Sequence, residues 1–201
     1  PPLDAIREEL VTSMASTIGQ ERNLLEPGPA SCEKIKIKYP IVDNNHMARL
    51  RHLPPTLPFR SVMLSMLFDP EEGGPGLKQA MTSLCEQASE AVANGYNILI
   101  LSDRGVDARH APIPSLLATS GVHHHLVREG TRTQCGLVVE SGDAREVHHV
   151  SLLIGYGAEV VNPYLAFESL DDMIRQGVIT NLSHEEAIER YLKALNKGIL
   201  K

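Results

Sequence analysis

Short apolar runs alternate with longer amphipathic stretches between residues 61 and 175. The clearest run is NILIL, at the start of a predicted strand over 97–103, which is apolar at every position from Ile98 to Leu101. A strand with this pattern is buried on both faces. Similar patterns predict strands over 61–68, 135–140 and 158–161, and helices over 76–93, 113–130 and 144–157.

This alternation predicts an α/β protein, because strands that alternate with helices form right-handed crossovers and therefore a parallel sheet. We expect four such βα units. A closed eight-stranded barrel usually needs about 250 residues, and this chain has 201. The units should therefore form a partial barrel or an open sheet.

Residues 1–60 are less regular and predict an N-terminal arm. The stretch LDAIREELVTSMASTIG predicts a helix with Asp4 as its N-cap and Gly19 as its end. A proline-rich segment follows, with little periodicity and so a poor basis for a core. We expect the arm to pack on an α/β domain over 61–201, the two forming one structural domain.

Two helix starts can be predicted from capping residues. Ser183 and Glu186 have the spacing of a capping box, which predicts the start of the last helix. The pair Asn162-Pro163 predicts an N-cap followed by a proline in the first helical position.

Charge and cysteine content narrow the function classes. The net charge of −6 argues against a nucleic-acid or anionic-membrane partner, since both favour a basic face. No apolar run approaches the length of a membrane helix, and no signal peptide is predicted. Three well-separated cysteines suit a reducing compartment, so we expect a cytoplasmic protein.

Polar loops follow the predicted strands at Asp69-Pro70, Asp103-Arg104-Gly105, Glu140-Ser141-Gly142 and Asn162-Pro163. The carboxyl ends of parallel strands meet at one edge, where ligands usually bind. Asp103, Arg104 and Glu140 could therefore converge on a small anion. The alternative is that these residues only cap helices and form turns, for which their residue types are common.

The histidines do not predict a metal site. Three of them occupy consecutive positions 123–125, and a helix turns about 100° per residue, so they fan around it. His124 alone continues an apolar stripe and is expected to be buried. No zinc-binding spacing, GxSxG nucleophile turn, dinucleotide fingerprint or phosphate-binding loop is present, and Cys135 is expected to be a buried, inert thiol.

The chain resembles the central domain of the large subunit of glutamate synthase. The resemblance lies in PPLDAIREELVTS, RNLLE, the ending YLKALNKGILK and, most specifically, the block LSDRGVD…HAPIP…VHHHLVREG and the segment NPYLAFE. It implies one part of an enzyme in which an amidotransferase domain releases ammonia from glutamine at an N-terminal cysteine. The ammonia then passes through an internal tunnel to 2-oxoglutarate, and reduced FMN supplies a hydride.

The resemblance further implies what this chain does and does not hold. FMN and an iron–sulfur cluster belong to the parent enzyme and not to this chain, which begins Pro1-Pro2 and has no catalytic, cofactor-binding or metal-binding residue. Its partners are the amidotransferase and FMN-binding domains of the same polypeptide, with a small subunit or ferredoxin as electron donor. The candidate inter-domain or tunnel contacts are Asp103, Arg104, Glu140, Arg145 and Asn162.

Three hypotheses remain open from the sequence. The first is the connecting domain of glutamate synthase. The second is a free-standing barrel-like enzyme that acts on a small anion through Asp103, Arg104 and Glu140. The third is an interaction module without a channel.

Overall fold

The computed structural model describes residues 11–201. Asp4, the predicted cap of the first helix, therefore lies outside the described residues. A four-stranded parallel sheet forms the centre of the chain. Its strands are β3 (Ser61–Ser65), β5 (Ile98–Ser102), β7 (Gly136–Glu140) and β8 (Val160–Asn162), and they lie in the order β3-β5-β7-β8.

The sheet confirms the predicted fold class. Each of its strands is followed by a helix, and all three strand pairs are parallel. The sheet does not close on itself, so four βα units form an open sheet and not a barrel. Every residue of β5 and β7 is buried, as the unbroken apolar run NILIL predicted for β5.

The helices that follow the strands are α2 (Gly73–Ala93), α3 (Ser115–Arg128), α4 (Val147–Gly155), α5 (Tyr164–Arg175) and α6 (His184–Leu200). Side chains of α2, α3, α4 and α6 pack on one face of the sheet. Leu99, Leu101 and Val139 point to this side and form the larger apolar core with Leu84 and Leu126.

The arm covers the opposite face, and this corrects the expectation that it makes a poor core. It contains β1 (Ser16–Ile18), β2 (Ile35–Ile37) and α1 (Asn44–Arg51). Its buried side chains pack on the sheet residues whose side chains point away from the helices. This second core contains Ile18, Val42, Met47, Leu50, Ile98, Ile100, Val138 and Val160.

The arm also extends the sheet at one edge. Ile41 forms a parallel bridge with Val161, the Val161 N–H donates to the Pro40 carbonyl, and the Val42 N–H donates back to Val161. The outer edge of β8 is therefore closed by a segment of this chain.

Two predicted elements were wrong at one end. The predicted helix over 3–19 does not reach Gly19, because Ser16–Ile18 form a strand paired antiparallel with Ile35–Ile37. The strand predicted over 61–68 ends at Ser65, and a separate strand β4 (Leu67–Phe68) pairs with β6 (Ala111–Pro112). In both places, pairing with a distant segment decided the conformation, which local propensity cannot report.

The capping predictions had different outcomes. Ser183 and Glu186 form the predicted capping box at the start of α6, with mutual backbone-to-side-chain hydrogen bonds of 3.2 and 2.8 Å. The prediction for Asn162 was wrong, because it is the last residue of β8 and Pro163 is the N-cap of α5. His124 was also wrongly predicted as buried, since α3 buries Ala118, Val122 and Leu126 and leaves His124 exposed.

Candidate functional site

A row of polar side chains crosses the arm-covered face at the carboxyl ends of the four strands. Ser65 lies opposite Ser102, Ser102 opposite Glu140, and Glu140 opposite Asn162. Side chains alternate between the two faces along a strand, so this polar row lies on the same face as the neighbouring apolar row that contains Ile100. The apolar strands thus end in a polar layer beneath the arm.

Glu140 is the centre of this layer and is 1% exposed. Its Oε1 accepts a hydrogen bond of 2.7 Å from Arg104 Nε, and its Oε2 accepts one of 2.5 Å from the Ser102 hydroxyl. The guanidinium of Arg51, from the last turn of α1, also donates to Oε2. Both carboxylate oxygens are therefore occupied, and the buried charge is balanced by two arginines.

Arg104 connects this buried layer to the surface. Its side chain is 34% exposed, and its Nη1 donates to Glu168 at 2.9 Å. Its guanidinium lies 4.0 Å from the centre of the Tyr164 ring. Burial alone would lower the pKa of Arg104, but hydrogen bonds to Glu140 and Glu168 outweigh it and raise the pKa. Both ion-pair partners belong to this chain.

Asp103 joins two of the strand-end loops. It is 1% exposed, and both of its carboxylate oxygens accept hydrogen bonds from the Gly142 N–H, at 3.0 and 2.9 Å. Its own N–H donates to the Glu140 carbonyl. Burial raises the pKa of the Asp103 carboxyl, although the bonds from Gly142 and Tyr164 act in the opposite direction. The predicted convergence of these loops is observed.

Asn162 connects the sheet to the arm. It is fully buried, and its Nδ2 donates to the Val42 carbonyl at 2.9 Å and to Asn44 Oδ1 at 3.1 Å. Its Oδ1 has no partner among residues 11–201. The Ser141 N–H donates to the Asn162 carbonyl, so the third loop also meets the other two.

Arg145 lies at the surface, beside a cleft of about 590 Å³ at this edge of the sheet. Its backbone N–H donates to His149 Nδ1 and its carbonyl accepts from the Tyr191 hydroxyl, whereas its guanidinium makes no ion pair with another described residue. Val106 and Leu165 also line the cleft and are 51% and 43% exposed. The cleft thus combines an arginine that has no ion-pair partner among the described residues with exposed apolar side chains.

The buried carboxylates and the buried thiol of this region are poorly placed for catalysis. The carboxylates of Asp103 and Glu140 are buried and fully hydrogen-bonded, so neither is placed to accept a proton from a ligand. Burial raises the pKa of the Cys135 thiol to about 11, which keeps it protonated and unreactive at neutral pH.

Cofactors expected of the parent do not fit the described residues. No group of three or more His, Cys, Asp or Glu within residues 11–201 could hold a metal ion. Cys32 is exposed, Cys85 is half-buried and Cys135 is buried. Three carboxylates, those of Asp103, Asp143 and Glu168, line the cleft against two arginines, which disfavours a flavin phosphate. That this chain carries no cofactor stays a prediction. None of the helices formed by the described residues is long and apolar enough to cross a membrane.

The sequence predictions missed Arg51, Ser102, Tyr164 and Glu168. Ser102 ends the strongest strand pattern and could have been included with the polar strand ends. Arg51 gave no such signal, because it lies 89 residues from Glu140 in a helix that the sequence pattern did not predict.

Comparison with known proteins agrees with the resemblance. The family model of the glutamate synthase central domain matches residues 1–201. The chain is 43% identical to the glutamate synthase [NADPH] large chain of Bacillus subtilis (strain 168), covering 100% of this chain and 13% of that protein. It is 35% identical to the ferredoxin-dependent glutamate synthase of Pyropia yezoensis, covering 100% of this chain and 14% of that protein.

The solved structures add little. A mutant flavocytochrome b2 with benzoylformate matches 58% of this chain and 27% of its own, with 16% identity and a TM-score of 0.47. A likeness this distant carries no argument about the site.

Proposed function

The chain belongs to the glutamate synthase central domain family, and from this premise we propose that it is the non-catalytic connecting domain of such an enzyme. In this proposal it links the glutamine amidotransferase and FMN-binding domains of one polypeptide. It also helps to form the tunnel that carries ammonia from glutamine to 2-oxoglutarate. The chain spans only 13% and 14% of the two relatives described above, which leaves most of such a polypeptide to other domains.

One observation carries the proposal. The buried carboxylates of Asp103 and Glu140 at the carboxyl edge accept their hydrogen bonds from groups within the chain, so they hold the loops and the arm in place. Arg145 and the exposed Val106 and Leu165 remain available around the adjoining cleft. A rigid edge with an uncommitted cation and apolar side chains is suited to contact another domain.

The candidate contacts have different roles in this proposal. Asp103, Glu140 and Asn162 shape the edge from within, because each is at most 1% exposed. Arg104 reaches the surface, but mutating it would also deprive Glu140 of a partner. Arg145 is therefore the cleaner probe of inter-domain contact.

The rest of the parent enzyme follows from the same proposal. FMN and the iron–sulfur cluster are held by residues outside this chain, and a small subunit or ferredoxin supplies electrons. The enzyme acts in the cytoplasm. The competing hypothesis of a free-standing enzyme on a small anion loses support because Asp103 and Glu140 are both occupied by hydrogen bonds within the chain.

We expect the isolated 201-residue chain to have neither glutaminase nor glutamate synthase activity, since the proposal assigns the glutaminase cysteine and FMN to other domains and burial keeps the Cys135 thiol protonated by raising its pKa to about 11. The measurement supplies glutamine, 2-oxoglutarate and an electron donor to the purified chain and follows glutamate and ammonia. Formation of glutamate above the rate without protein would contradict the prediction and favour a free-standing enzyme.

In the whole polypeptide, Arg145→Ala should weaken the transfer of ammonia between active sites. Truncating an arginine that is a hot spot of a contact costs about 2 kcal/mol or more, so we expect free ammonia to accumulate and glutamate formed per glutamine consumed to fall. The measurement follows free ammonia, glutamate formed and glutamine consumed in the same reaction. Arg128→Ala is the matched control, because Arg128 is exposed in the last turn of α3, away from the cleft. Equal ratios in both variants and the wild type would refute a role for Arg145.

A further inference from the structure

The two edge strands of the central sheet differ in whether their outer side is paired. The outer edge of β8 is closed by residues 40–42, which pair with Val161. Within residues 11–201, β3 pairs with β5 alone. The Arg60 carbonyl accepts from Ile98, and Met66 donates to Ser102, so even-numbered residues of this segment direct their backbone groups towards β5.

The backbone groups of the odd-numbered residues consequently point away from the sheet. Ser61, Met63 and Ser65 have no backbone partner on that side among the described residues. The Ser61 hydroxyl donates to the Arg51 carbonyl, so the arm reaches the start of the edge. From Met63 to Ser65, no other residue of the part that the structure describes pairs with this edge.

An apolar row ends exposed at this edge. Met63 lies opposite Ile100, Ile100 opposite Val138, and Val138 opposite Val160. The arm covers the last three, each of which is at most 1% exposed, whereas Met63 is 56% exposed. The row therefore continues one strand further than its cover.

The edge also lacks the features that normally prevent strand addition. Natural edge strands are protected from pairing with another strand by charged residues, proline, bulges or very short length. β3 has the sequence SVMLS, contains no charge or proline, and pairs with β5 over five consecutive residues without a bulge. Such an edge is a template for another strand.

We propose that the open edge of β3 is an interaction surface for an extended segment from another domain of the same polypeptide. The segment pairs with the outward backbone groups of Met63 and Ser65 and places an apolar side chain against Met63. This inference rests on the proposed function only in assuming that the chain is one part of a longer enzyme.

A segment of the same polypeptide is favoured over a second copy of the chain. The chain covers 13% of the Bacillus relative, so most of such a polypeptide lies outside it. Tethering gives that remainder an effective concentration in the millimolar range. Two copies, in contrast, each carry a net charge of −6 and must associate from dilute solution.

Methionine oxidation tests this surface. Met63 and Met173 are 56% and 40% exposed, and Met66 is 0% exposed, so the three provide a probe, an exposed control and a buried control. In the isolated chain Met63 and Met173 should react at similar rates. In the whole polypeptide we expect Met63 to react about ten-fold more slowly, with Met173 unchanged, because oxidation follows exposure.

Backbone pairing requires a second measurement. Residue-resolved hydrogen exchange should detect protection of the Met63 and Ser65 amides in the whole polypeptide and not in the isolated chain. Equal Met63 oxidation, or protected side chains with unprotected amides, would overturn strand addition. Concentration-dependent protection in the isolated chain would instead identify a second copy as the occupant. Arg145 and the ammonia ratio are unrelated to these readouts, so the proposed function and this inference can fail separately.

Discussion

Replacing Glu140 with alanine should lower the free energy of unfolding of the chain by about 3–5 kcal/mol, because removing one member of a buried ion pair leaves its partners uncompensated. Arg51 and Arg104 both direct their guanidinium groups at this 1% exposed carboxylate, and Ser102 donates to it as well. The loss is large because the arm helix and the β5 loop depend on the same group. Chemical denaturation of the isolated chain measures it.

Glu168→Ala is the matched control. It removes the other carboxylate partner of Arg104, which is 48% exposed. An exposed ion pair contributes at most about 1 kcal/mol, so this variant should unfold close to the wild type. If the two variants were equally stable, the polar layer would not be the structural centre described above.

Gly136→Ala should loosen the packing of the arm on the sheet and destabilise the chain by about 1–3 kcal/mol, the usual range for adding a methyl group to a packed site. A Cβ at this position would lie 2.8 Å from the Gly19 backbone nitrogen and 2.7 Å from both Ile18 Cγ2 and Glu159 Oε2. The Gly19 nitrogen is part of the backbone and cannot rotate away, so the arm itself must move.

The control for this variant is Gly155→Ala, at the end of α4, where no described atom beyond its chain neighbours and the backbone of its own helix lies within 4 Å of the added Cβ. Denaturation should be combined with limited proteolysis of residues 11–40. We propose that residues 1–60 and 61–201 form one structural domain, so the weakened Gly136→Ala variant should still unfold in a single transition, with faster cleavage of the arm. Separate transitions for arm and sheet would contradict that proposal.

The absence of a side chain at Gly136 leaves room for a hydrogen bond between Gly19 and the buried Glu159. Glu159 accepts a hydrogen bond of 3.4 Å from the Gly19 N–H and lies 3.4 Å from the Arg132 guanidinium. Burial raises the pKa of Glu159 to about 7, although the charge of Arg132 opposes the shift. The arm is thus held at both ends of the sheet, by Glu159 at the amino ends and by Glu140 and Asn162 at the carboxyl ends.

The central sheet was predictable because its signals are local. The run Ile98–Leu101 is apolar on both faces, and such a run has few alternatives to a buried strand. The alternation with helices then restricts the topology to right-handed parallel units, which brings Asp103 and Glu140 to one edge. The capping box of Ser183 and Glu186 is local in the same sense.

The arm and its contacts were decided by the tertiary structure. Ser16–Ile18 become a strand because Ile35–Ile37 lie beside them, and Arg51 finds Glu140 across 89 residues. Hydrophobic pattern and propensity report only the preferences of neighbouring residues, whereas these contacts depend on which surfaces the folded sheet leaves uncovered. The sequence by itself determined the four βα units and their polar edge. Only the tertiary structure decided that the proline-rich arm forms the second core, because burial of both sheet faces is a property of the whole chain.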